Sequence, residues 1–352
     1  MSEQLETVHA FDSGPMPTGV SVSATGRVFV NFPKWGDDVP FTVAEIRDGE
    51  VVPYPDQAWN DPGGDDDPKA FVSVQSIVVD PADRLWVLDT GSPMFQETHF
   101  GGPKLVCIDL ASDTVERTIV FDPKTALPTT YLNDVRFDLR RNAAFITDSA
   151  DQGPNGIIVV DLDSGTAWRR LHDHPSTKAD LALRPSVEDR PFLDRSGDQP
   201  QPVTMGADGI AISADGSRLW YCPLQSRHWY SVDAGALCDR EVSDDEVAAT
   251  VRDEGDKGGI SDGLETDDRG RLYLTSPERK ALLRRAADGT IETLVQDPRL
   301  LWPDTMSVAE GYVYVTANQL HRQARYTGGA DEREYPYALF RFPIDAGPVR
   351  LT

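Results

Sequence analysis

The segment Ser76-Ile-Val-Val-Asp-Pro-Ala-Asp-Arg-Leu-Trp-Val-Leu88 contains the pattern that decides the fold. Two runs rich in β-branched, aliphatic and aromatic residues flank a turn of Asp, Pro and Ala, which is the signature of a β-hairpin. The same arrangement recurs at residues 19–30, 135–147, 209–221, 263–275 and 305–316. Six copies of one hairpin predict six repeated structural units.

Further strand candidates follow most of these hairpins, such as Lys104-Leu-Val-Cys-Ile-Asp109 and Thr114-Val-Glu-Arg-Thr-Ile-Val120. Four antiparallel strands repeated around an axis form a β-propeller. The sequence therefore predicts an all-β, six-bladed β-propeller that occupies residues 1–352 as a single domain. The predicted blades span approximately 15–58, 73–122, 131–172, 204–242, 259–297 and 302–346.

The composition narrows the class of partner. The formal net charge is −24, from 58 acidic and 34 basic residues, so we expect neither a nucleic acid nor an anionic membrane as a partner. No stretch approaches the ~20 apolar residues of a membrane span, and no secretory signal is evident. Cys107, Cys222 and Cys238 show no paired spacing, which favours a reducing compartment. We expect a cytoplasmic monomer that binds a small molecule.

Two long irregular stretches interrupt the repeats, at residues 59–70 and 172–203. Irregular segments of this length within a compact domain are usually functional or disordered. We expect both on the face of the propeller that carries the binding pocket.

Polar residues stand at the point where the innermost strand of most predicted blades begins. They are Gln75, Asn133, Asp134, Asp208, Asp262 and Asp304, whereas blade one has Pro17 and Thr18 there. Since the innermost strands of a propeller begin at one end of its channel, we expect these side chains to converge. Crowded carboxylates raise one another's pKa unless a cation neutralises them. Oxygen ligands select hard cations, so Ca²⁺ is expected first, with Mg²⁺, Mn²⁺ or Zn²⁺ as alternatives.

Two other interpretations of this ring stay open. The aspartates could cap turns and bond to strand N–H groups, or they could form a metal-free acid/base site.

A second set of candidate ligand-binding residues follows the hairpins, in loops expected at the same face. It consists of Lys34, Trp35, Asp89, Asp148, Gln225 and Asn318. Lys34 and Trp35 could hold an acidic or aromatic ligand by charge and stacking. His321, three residues after Asn318, is a further candidate for acid/base catalysis.

Several of these segments resemble the major royal jelly protein/Yellow family. The matching motifs include Gly26-Arg-Val-Phe-Val-Asn-Phe-Pro-Lys-Trp-Gly-Asp37, Leu85-Trp-Val-Leu-Asp-Thr-Gly91, Tyr131-Leu-Asn-Asp-Val-Arg136 and Phe145-Ile-Thr-Asp-Ser149. They occur in the family's order along nearly the whole chain. The family is related to calcium-dependent senescence-marker/gluconolactonase propellers, and its insect members include dopachrome-converting enzymes and binders of biogenic amines.

This resemblance implies a metal site made of Asn133, Asp208 and Asp262, the positions that match the later ligands of the gluconolactonase-type site. The blade-one glutamate of that site has no counterpart in this chain, because Pro15-Met-Pro-Thr-Gly19 contains no carboxylate.

Our first functional hypothesis is a metal-assisted enzyme that acts on a small lactone or cyclic carbonyl compound, as a hydrolase or a tautomerase. Its candidate catalytic residues are Asn133, Asp208, Asp262 and His321, with Asp208 or Asp262 as general base. The alternative is a non-catalytic binder of a small aromatic or amine ligand, and the third is a protein-interaction propeller.

Overall fold

The computed structural model describes residues 4–352, which contain six four-stranded antiparallel sheets. The innermost strand of each sheet packs against the innermost strands of two neighbouring sheets, and these contacts return from the last sheet to the first. The sheets therefore form a closed ring, and the six-bladed β-propeller predicted from the repeats is confirmed.

The first half of the chain forms β1 (Glu6–Phe11) of blade six; β2 (Val20–Val22), β3 (Val28–Asn31), β4 (Val43–Arg47) and β5 (Glu50–Pro53) of blade one; β6 (Val74–Val79), β7 (Arg84–Asp89), β8 (Lys104–Asp109) and β9 (Thr114–Val120) of blade two; and β10 (Leu132–Asp138), β11 (Ala143–Asp148), β12 (Gly156–Asp161) and β13 (Ala167–Arg170) of blade three. Two hairpins outside the blades follow, formed by β14 (Ser186–Val187) with β15 (Arg190–Pro191) and by β16 (Leu193–Asp194) with β17 (Gln201–Pro202). The remaining strands are β18 (Ala207–Ile212), β19 (Arg218–Pro223), β20 (His228–Asp233) and β21 (Arg252–Asp256) of blade four; β22 (Leu264–Thr266), β23 (Leu272–Ser276), β24 (Ala281–Arg285) and β25 (Ile291–Gln296) of blade five; and β26 (Trp302–Ala309), β27 (Tyr312–Asn318) and β28 (Tyr337–Pro343) of blade six.

Blade six combines a strand from the N-terminal segment with three strands from the C-terminal part of the chain, in the order β26-β27-β28-β1. Strand β1 pairs antiparallel with β28, for example Phe11 opposite Tyr337. The N-terminal segment thus supplies the outermost strand of the last blade and closes the ring by hydrogen bonds.

An aspartate fixes the turn between the first two strands in blades two and five. Asp80 accepts hydrogen bonds from the backbone N–H (3.1 Å) and the guanidinium Nε (2.8 Å) of Arg84. Asp267 likewise binds both the backbone N–H (3.0 Å) and the guanidinium Nε (2.6 Å) of Arg271. This double contact explains why Asp and Arg recur four residues apart in these two repeats.

Blade four extends further than the sequence predicted. Its outermost strand is β21 at Arg252–Asp256, beyond the expected boundary at 242, because the short helices α1 (Ala234–Cys238) and α2 (Asp244–Ala249) precede it. Helix α2 begins where it does because Ser243 and Glu246 cap each other's backbone N–H groups. A third short α-helix is α3 (Ala324–Thr327), and none of the helices within residues 4–352 is long and apolar enough to cross a membrane.

Both long irregular segments lie on one face of the propeller. Residues 54–73 join the outermost strand of blade one to the innermost strand of blade two, and residues 171–206 make the corresponding connection from blade three to blade four. Each segment therefore ends where an innermost strand begins. We call this face the upper face, and the segment 172–203 the insertion.

A buried ion pair anchors the first of these segments to blade two. Lys104 and Asp89 are fully buried, with 2.9 Å between Nζ and Oδ2. The same ammonium donates to the backbone carbonyl of Asp67 (2.8 Å), and Asp89 accepts from the N–H groups of Val72 (2.6 Å) and Ser73 (2.9 Å). One lysine thus holds the acidic loop and the blade in register.

We expect Lys104→Met to lower the free energy of unfolding by about 3–5 kcal/mol, because it leaves the Asp89 carboxylate buried without its counter-ion. Urea denaturation of the two proteins would measure the difference. The matched control is Lys178→Met, which breaks an exposed ion pair with Asp173 and should cost less than about 1 kcal/mol. Equal losses in the two variants would contradict an anchoring role for Lys104.

Candidate active site

Asn133, Asp208, Asp262 and Asp304 converge at the upper end of the channel, each near the beginning of the innermost strand of its blade. The Asn133 Nδ2 donates a hydrogen bond to Asp208 Oδ1 at 2.8 Å. Asp208 is in contact with the carboxyl group of Asp262, and the charge of Asp304 acts on Asp208 as well. We call these four residues the carboxylate cluster.

Burial and mutual repulsion change the acidity of the cluster. Burial raises the pKa of Asp208 well above its usual range, and repulsion from Asp262 raises it further. The pKa of Asp304 is raised for the same two reasons. Burial also raises the pKa of Asp262, to about 6, against the opposing effect of a 2.6 Å hydrogen bond from the Trp302 indole. Asp262 is the only one of the three aspartates that is partly exposed.

The cluster has polar neutral partners in place of side-chain cations. Asp304 accepts from the Asn318 amide at 2.7 Å, and within residues 4–352 no Lys or Arg forms an ion pair with any of its three carboxylates. Asp134 differs, since it is bound by Arg136 (2.9 Å) and by Ser76 (2.6 Å). Asp134 therefore belongs to a compensated pair beside the cluster.

The donor atoms of the cluster match a hard divalent cation in chemistry. All are carboxylate or amide oxygens. In the part of the chain that the structure describes, however, no three His, Cys, Asp or Glu side chains lie close enough together to form a metal site by themselves. Blade one contributes Thr18, whose hydroxyl accepts from Asn31 at 2.9 Å. A cation in this position would rely on Asn133, Asp208, Asp262 and water.

Other residues expected at the site serve the framework. Asp148 is fully buried and accepts from Arg169 (2.8 Å) and from the Tyr131 N–H (3.0 Å), much as Asp89 is held by Lys104. Lack of exposure keeps both carboxylates away from a ligand, which corrects their assignment as ligand-binding residues.

Gln225 and Lys34 form no side-chain hydrogen bond or ion pair with the cluster within residues 4–352. Gln225 is fully buried and donates from Nε2 to the carbonyl of Leu183 at 3.0 Å, within the insertion. Lys34 is half-buried, and its side chain has no hydrogen bond or ion pair within residues 4–352.

An aromatic group stands between the upper loops and the channel. The Trp35 ring is stacked on Phe95 with 5.4 Å between centroids, and its indole donates to the Tyr131 hydroxyl at 2.7 Å. Tyr131 in turn donates to Gln75 Oε1 at 3.1 Å, and Arg325 packs over the outer face of Phe95 at 5.6 Å. Trp35 and Gln75 are therefore part of one packed chain of contacts.

His321 reaches the cluster through an intermediate ring. It stacks on Trp302 with centroids 5.6 Å apart and an interplanar angle of 19°, and Trp302 donates to Asp262. Its Nε2 lies 2.9 Å from Glu188 of the insertion, while its buried Nδ1 has no hydrogen-bond partner within residues 4–352.

The insertion covers the upper end of the channel. Val187, Phe192 and Val203 of the insertion belong to one apolar cluster with Trp302 and Leu320 of blade six. At the same end of the channel, Asp208 and Asp304 are only 4% and 3% exposed.

The motifs that resembled a known family fall within the blades that build this site, and a family model decides the matter. Residues 72–343 match the model of the family described as "Major royal jelly protein". The chain belongs to the major royal jelly protein family.

Individual relatives show how far this membership extends. The chain is 28% identical over 247 residues to protein yellow of Drosophila erecta. This alignment covers 65% of this chain and 43% of the Drosophila protein. The chain thus spans less than half the length of the curated relatives it matches.

Two solved structures share the fold at low identity. Regucalcin of Agrobacterium tumefaciens, a calcium-binding protein, is 12% identical with a TM-score of 0.55, over 97% of this chain and 95% of that one. A gluconolactonase of Xanthomonas campestris is 15% identical with a TM-score of 0.56, over 96% and 89% of the two chains. At these identities the likeness establishes the propeller for this family member.

Sequence reasoning missed two residues of the site. The position of Trp302 in the sequence gives no sign of a contact with the cluster, which its 2.6 Å hydrogen bond to Asp262 reveals. Glu188 gave no signal, because it meets His321 through the path of the insertion across 133 residues of sequence.

We expect Asp262→Asn to stabilise the cation-free protein at neutral pH. Because folding raises the pKa of Asp262 from about 3.9 to about 6, the wild-type protein loses stability as the pH rises from about 4 to about 6. Asn keeps an acceptor for Trp302 without the charge. In EDTA, the gain in free energy of unfolding should be on the order of 3 kcal/mol above pH ~6 and near zero below pH ~4.

Asp215→Asn is the control with the opposite sign. Hydrogen bonds from Ser213 and Ser217 lower the pKa of Asp215 to about 2, so its charge contributes stability that is present above about pH 4 and is lost towards pH 2. This variant should therefore be the less stable protein at neutral pH. A stability profile for Asp262→Asn that runs parallel to the wild-type curve would refute the proposed electrostatic strain.

Proposed function

We propose that this family member is a divalent-cation-dependent hydrolase of small lactones, and that the carboxylate cluster is its active site. The observation that carries the proposal is three aspartates, two of them almost fully buried, that share no Lys or Arg counter-ion within residues 4–352. Buried carboxylates of this kind are stabilised by a bound cation or by protonation. A calcium-binding protein and a gluconolactonase with the same fold add support.

Asn133, Asp208 and Asp262 would hold the cation through their oxygen atoms. When bound, the cation would act as a Lewis acid towards the lactone carbonyl. It would also remove the repulsion that now raises the pKa of Asp208.

Asp262 is the best-placed general base. It is the one partly exposed carboxylate of the cluster, so a water molecule can reach it and give up a proton to it. The carboxylate would take one proton from water as the water oxygen adds to the carbonyl carbon. The C–O bond of the ring then breaks, and the same proton passes from Asp262 to the departing ring oxygen. The Trp302 indole holds the carboxylate in place during both transfers.

An amine binder is the second candidate, because an organic ammonium could neutralise the same carboxylates without any chemistry. The amine binder has less support than the hydrolase, because the Trp35 and Phe95 rings are stacked on each other and not on a ligand position.

The first test combines metal analysis with turnover. We expect the purified protein to bind one equivalent of Ca²⁺ or Mg²⁺, to melt at a lower temperature in EDTA, and to hydrolyse simple lactones such as δ-gluconolactone or γ-butyrolactone. Asp208→Asn should lower kcat/KM by at least ~100-fold, because both the cation site and the order of the cluster depend on it.

The comparison variant is Asp253→Asn, in an exposed pair with His228 on blade four, which should keep full turnover and cation binding. Absence of any bound cation, with no change in melting temperature in millimolar Ca²⁺, would overturn the hydrolase proposal. Stoichiometric uptake of an amine such as tyramine without product would then establish the binder.

A further inference from the structure

The pairing register of the innermost strand shifts near its start in four blades. The shift lies at Gln75 in blade two, Asn133 in blade three, Asp208 in blade four and Asp304 in blade six. Such β-bulges redirect a side chain and are frequent beside active sites. Gln75 therefore occupies in blade two the position that three members of the carboxylate cluster occupy in their own blades.

The bulge that carries Gln75 is held from both neighbouring blades. Asn31 of blade one donates to the backbone carbonyls of Val74 and Gln75, each at 3.0 Å. On the other side, the Ser76 hydroxyl donates to Asp134 of blade three at 2.6 Å. These bonds fix the position of the Gln75 backbone before a ligand arrives.

The orientation of the Gln75 amide follows from the order of donors and acceptors around it. An indole N–H can only donate, so the Tyr131 hydroxyl accepts from Trp35 at 2.7 Å and directs its own proton to Gln75 Oε1 at 3.1 Å. Burial raises the pKa of Tyr131 well above its usual range, and the charges of Asp208 and Asp304 raise it further, so the hydroxyl keeps this proton. The amide oxygen thus faces Tyr131, and the remaining position belongs to the NH2 group.

The Nε2 atom of Gln75 is a donor that a ligand can reach. Gln75 is only 6% exposed, and Nε2 has no hydrogen-bond partner within residues 4–352. It differs in this respect from the Nδ1 of His321, which also lacks a partner but is enclosed, because Nε2 retains contact with solvent. A mostly buried donor without an acceptor costs free energy, and a ligand oxygen would supply the missing hydrogen bond.

The neighbours of this donor restrict the kind of ligand. The Asn133 amide is bound to Asp208 (2.8 Å), so Gln75 Nε2 is the one amide nitrogen of these strand starts that lacks a partner in the described part of the chain. The three aspartates of the cluster present carboxylate oxygens, which repel an anion when they are ionised. The ligand atom that fits the donor is therefore a neutral carbonyl oxygen.

We propose that Gln75 is a catalytic residue of this site, whose Nε2 donates a hydrogen bond to the carbonyl oxygen of the lactone. The inference deepens the proposed function and rests on it for the reaction. As the water oxygen adds to the carbonyl carbon, the π electrons of the C=O bond move onto the oxygen that Nε2 binds, and the hydrogen bond strengthens. When the ring C–O bond breaks, these electrons re-form the C=O bond. Tyr131 is a positioning residue, because it holds the amide in the orientation that presents Nε2.

The first measurement separates binding from turnover. δ-Valerolactam, a cyclic amide, offers a similar carbonyl oxygen but resists hydrolysis, so calorimetry of the full chain can follow its binding in Ca²⁺ and in EDTA. We expect Gln75→Met to weaken lactam binding about three- to tenfold, the effect of losing one hydrogen bond. The matched control is Gln152→Met, at an exposed glutamine without a side-chain hydrogen bond within residues 4–352, which should bind the lactam like the wild-type protein.

The second measurement is steady-state hydrolysis of δ-gluconolactone. Gln75→Met should lower kcat about 100-fold or more and change KM much less, because a donor to the developing charge acts mainly in the transition state. The rise in melting temperature with Ca²⁺ should be unchanged, since an amide N–H is not a cation ligand.

A double variant tests the role of Tyr131. Tyr131→Phe should lower kcat about tenfold, because the amide of Gln75 can then turn away. Gln75→Met/Tyr131→Phe should be no slower than Gln75→Met alone, since Tyr131 acts through Gln75. Losses that multiply in the double variant would contradict this positioning role.

The outcomes separate the two proposals. If Gln75→Met does not fold, Gln75→Glu decides, because it keeps the shape and the acceptor for Tyr131 but lacks the donor. Wild-type kcat and lactam affinity in the folded variant overturn the role of Gln75 and leave the hydrolase proposal standing. Lactam binding that depends on Gln75 without lactone turnover supports the donor and overturns the hydrolase.

The two remaining outcomes are also decisive. A fall in kcat without detectable lactam binding supports the proposal and assigns the hydrogen bond to the transition state alone. Absence of both lactam binding and turnover in the wild-type protein overturns both proposals.

Discussion

Closure of the ring of sheets is the constraint on which the rest of the structure depends. A sheet edge exposes unpaired N–H and C=O groups, and pairing β1 with β28 satisfies those of β28 while tying the N-terminal segment to the last blade. Once the ring is closed, the starting points of six innermost strands must meet at one end of the channel. The polar residues at these starting points therefore become neighbours, and the carboxylate cluster follows from this geometry.

The distribution of charge shows which buried carboxylates of this protein have a counter-ion and which do not. Elsewhere, buried carboxylates are compensated: Asp89 by Lys104, Asp148 by Arg169 and Asp134 by Arg136. The cluster alone among these lacks a side-chain cation within residues 4–352, and its pKa values are raised as a result. Buried carboxylates without a counter-ion, gathered at one end of the channel, are typical of a site that acts on a ligand.

The sequence supported the fold more fully than the site. The repeated hairpins predicted the six blades because alternation of apolar residues is a local property of each strand, and the cluster residues could be named because strand starts are visible in the repeats. The boundary of blade four was less predictable, since α1 and α2 interrupt the repeat before β21. Asp89 and Asp148 could not be told from ligand residues, because their partners Lys104 and Arg169 come from other strands.

The sequence by itself determined a six-bladed propeller with Asn133, Asp208, Asp262 and Asp304 at the starts of its innermost strands. Only the tertiary structure decided what surrounds them: the covering by the insertion, the Trp302 contact with Asp262 and the pairing of Glu188 with His321. The physical reason is the distance along the sequence over which each interaction acts. Strand periodicity is set by neighbours two residues apart, whereas burial, counter-ions and free lone pairs depend on irregular segments that meet only after the whole ring has closed.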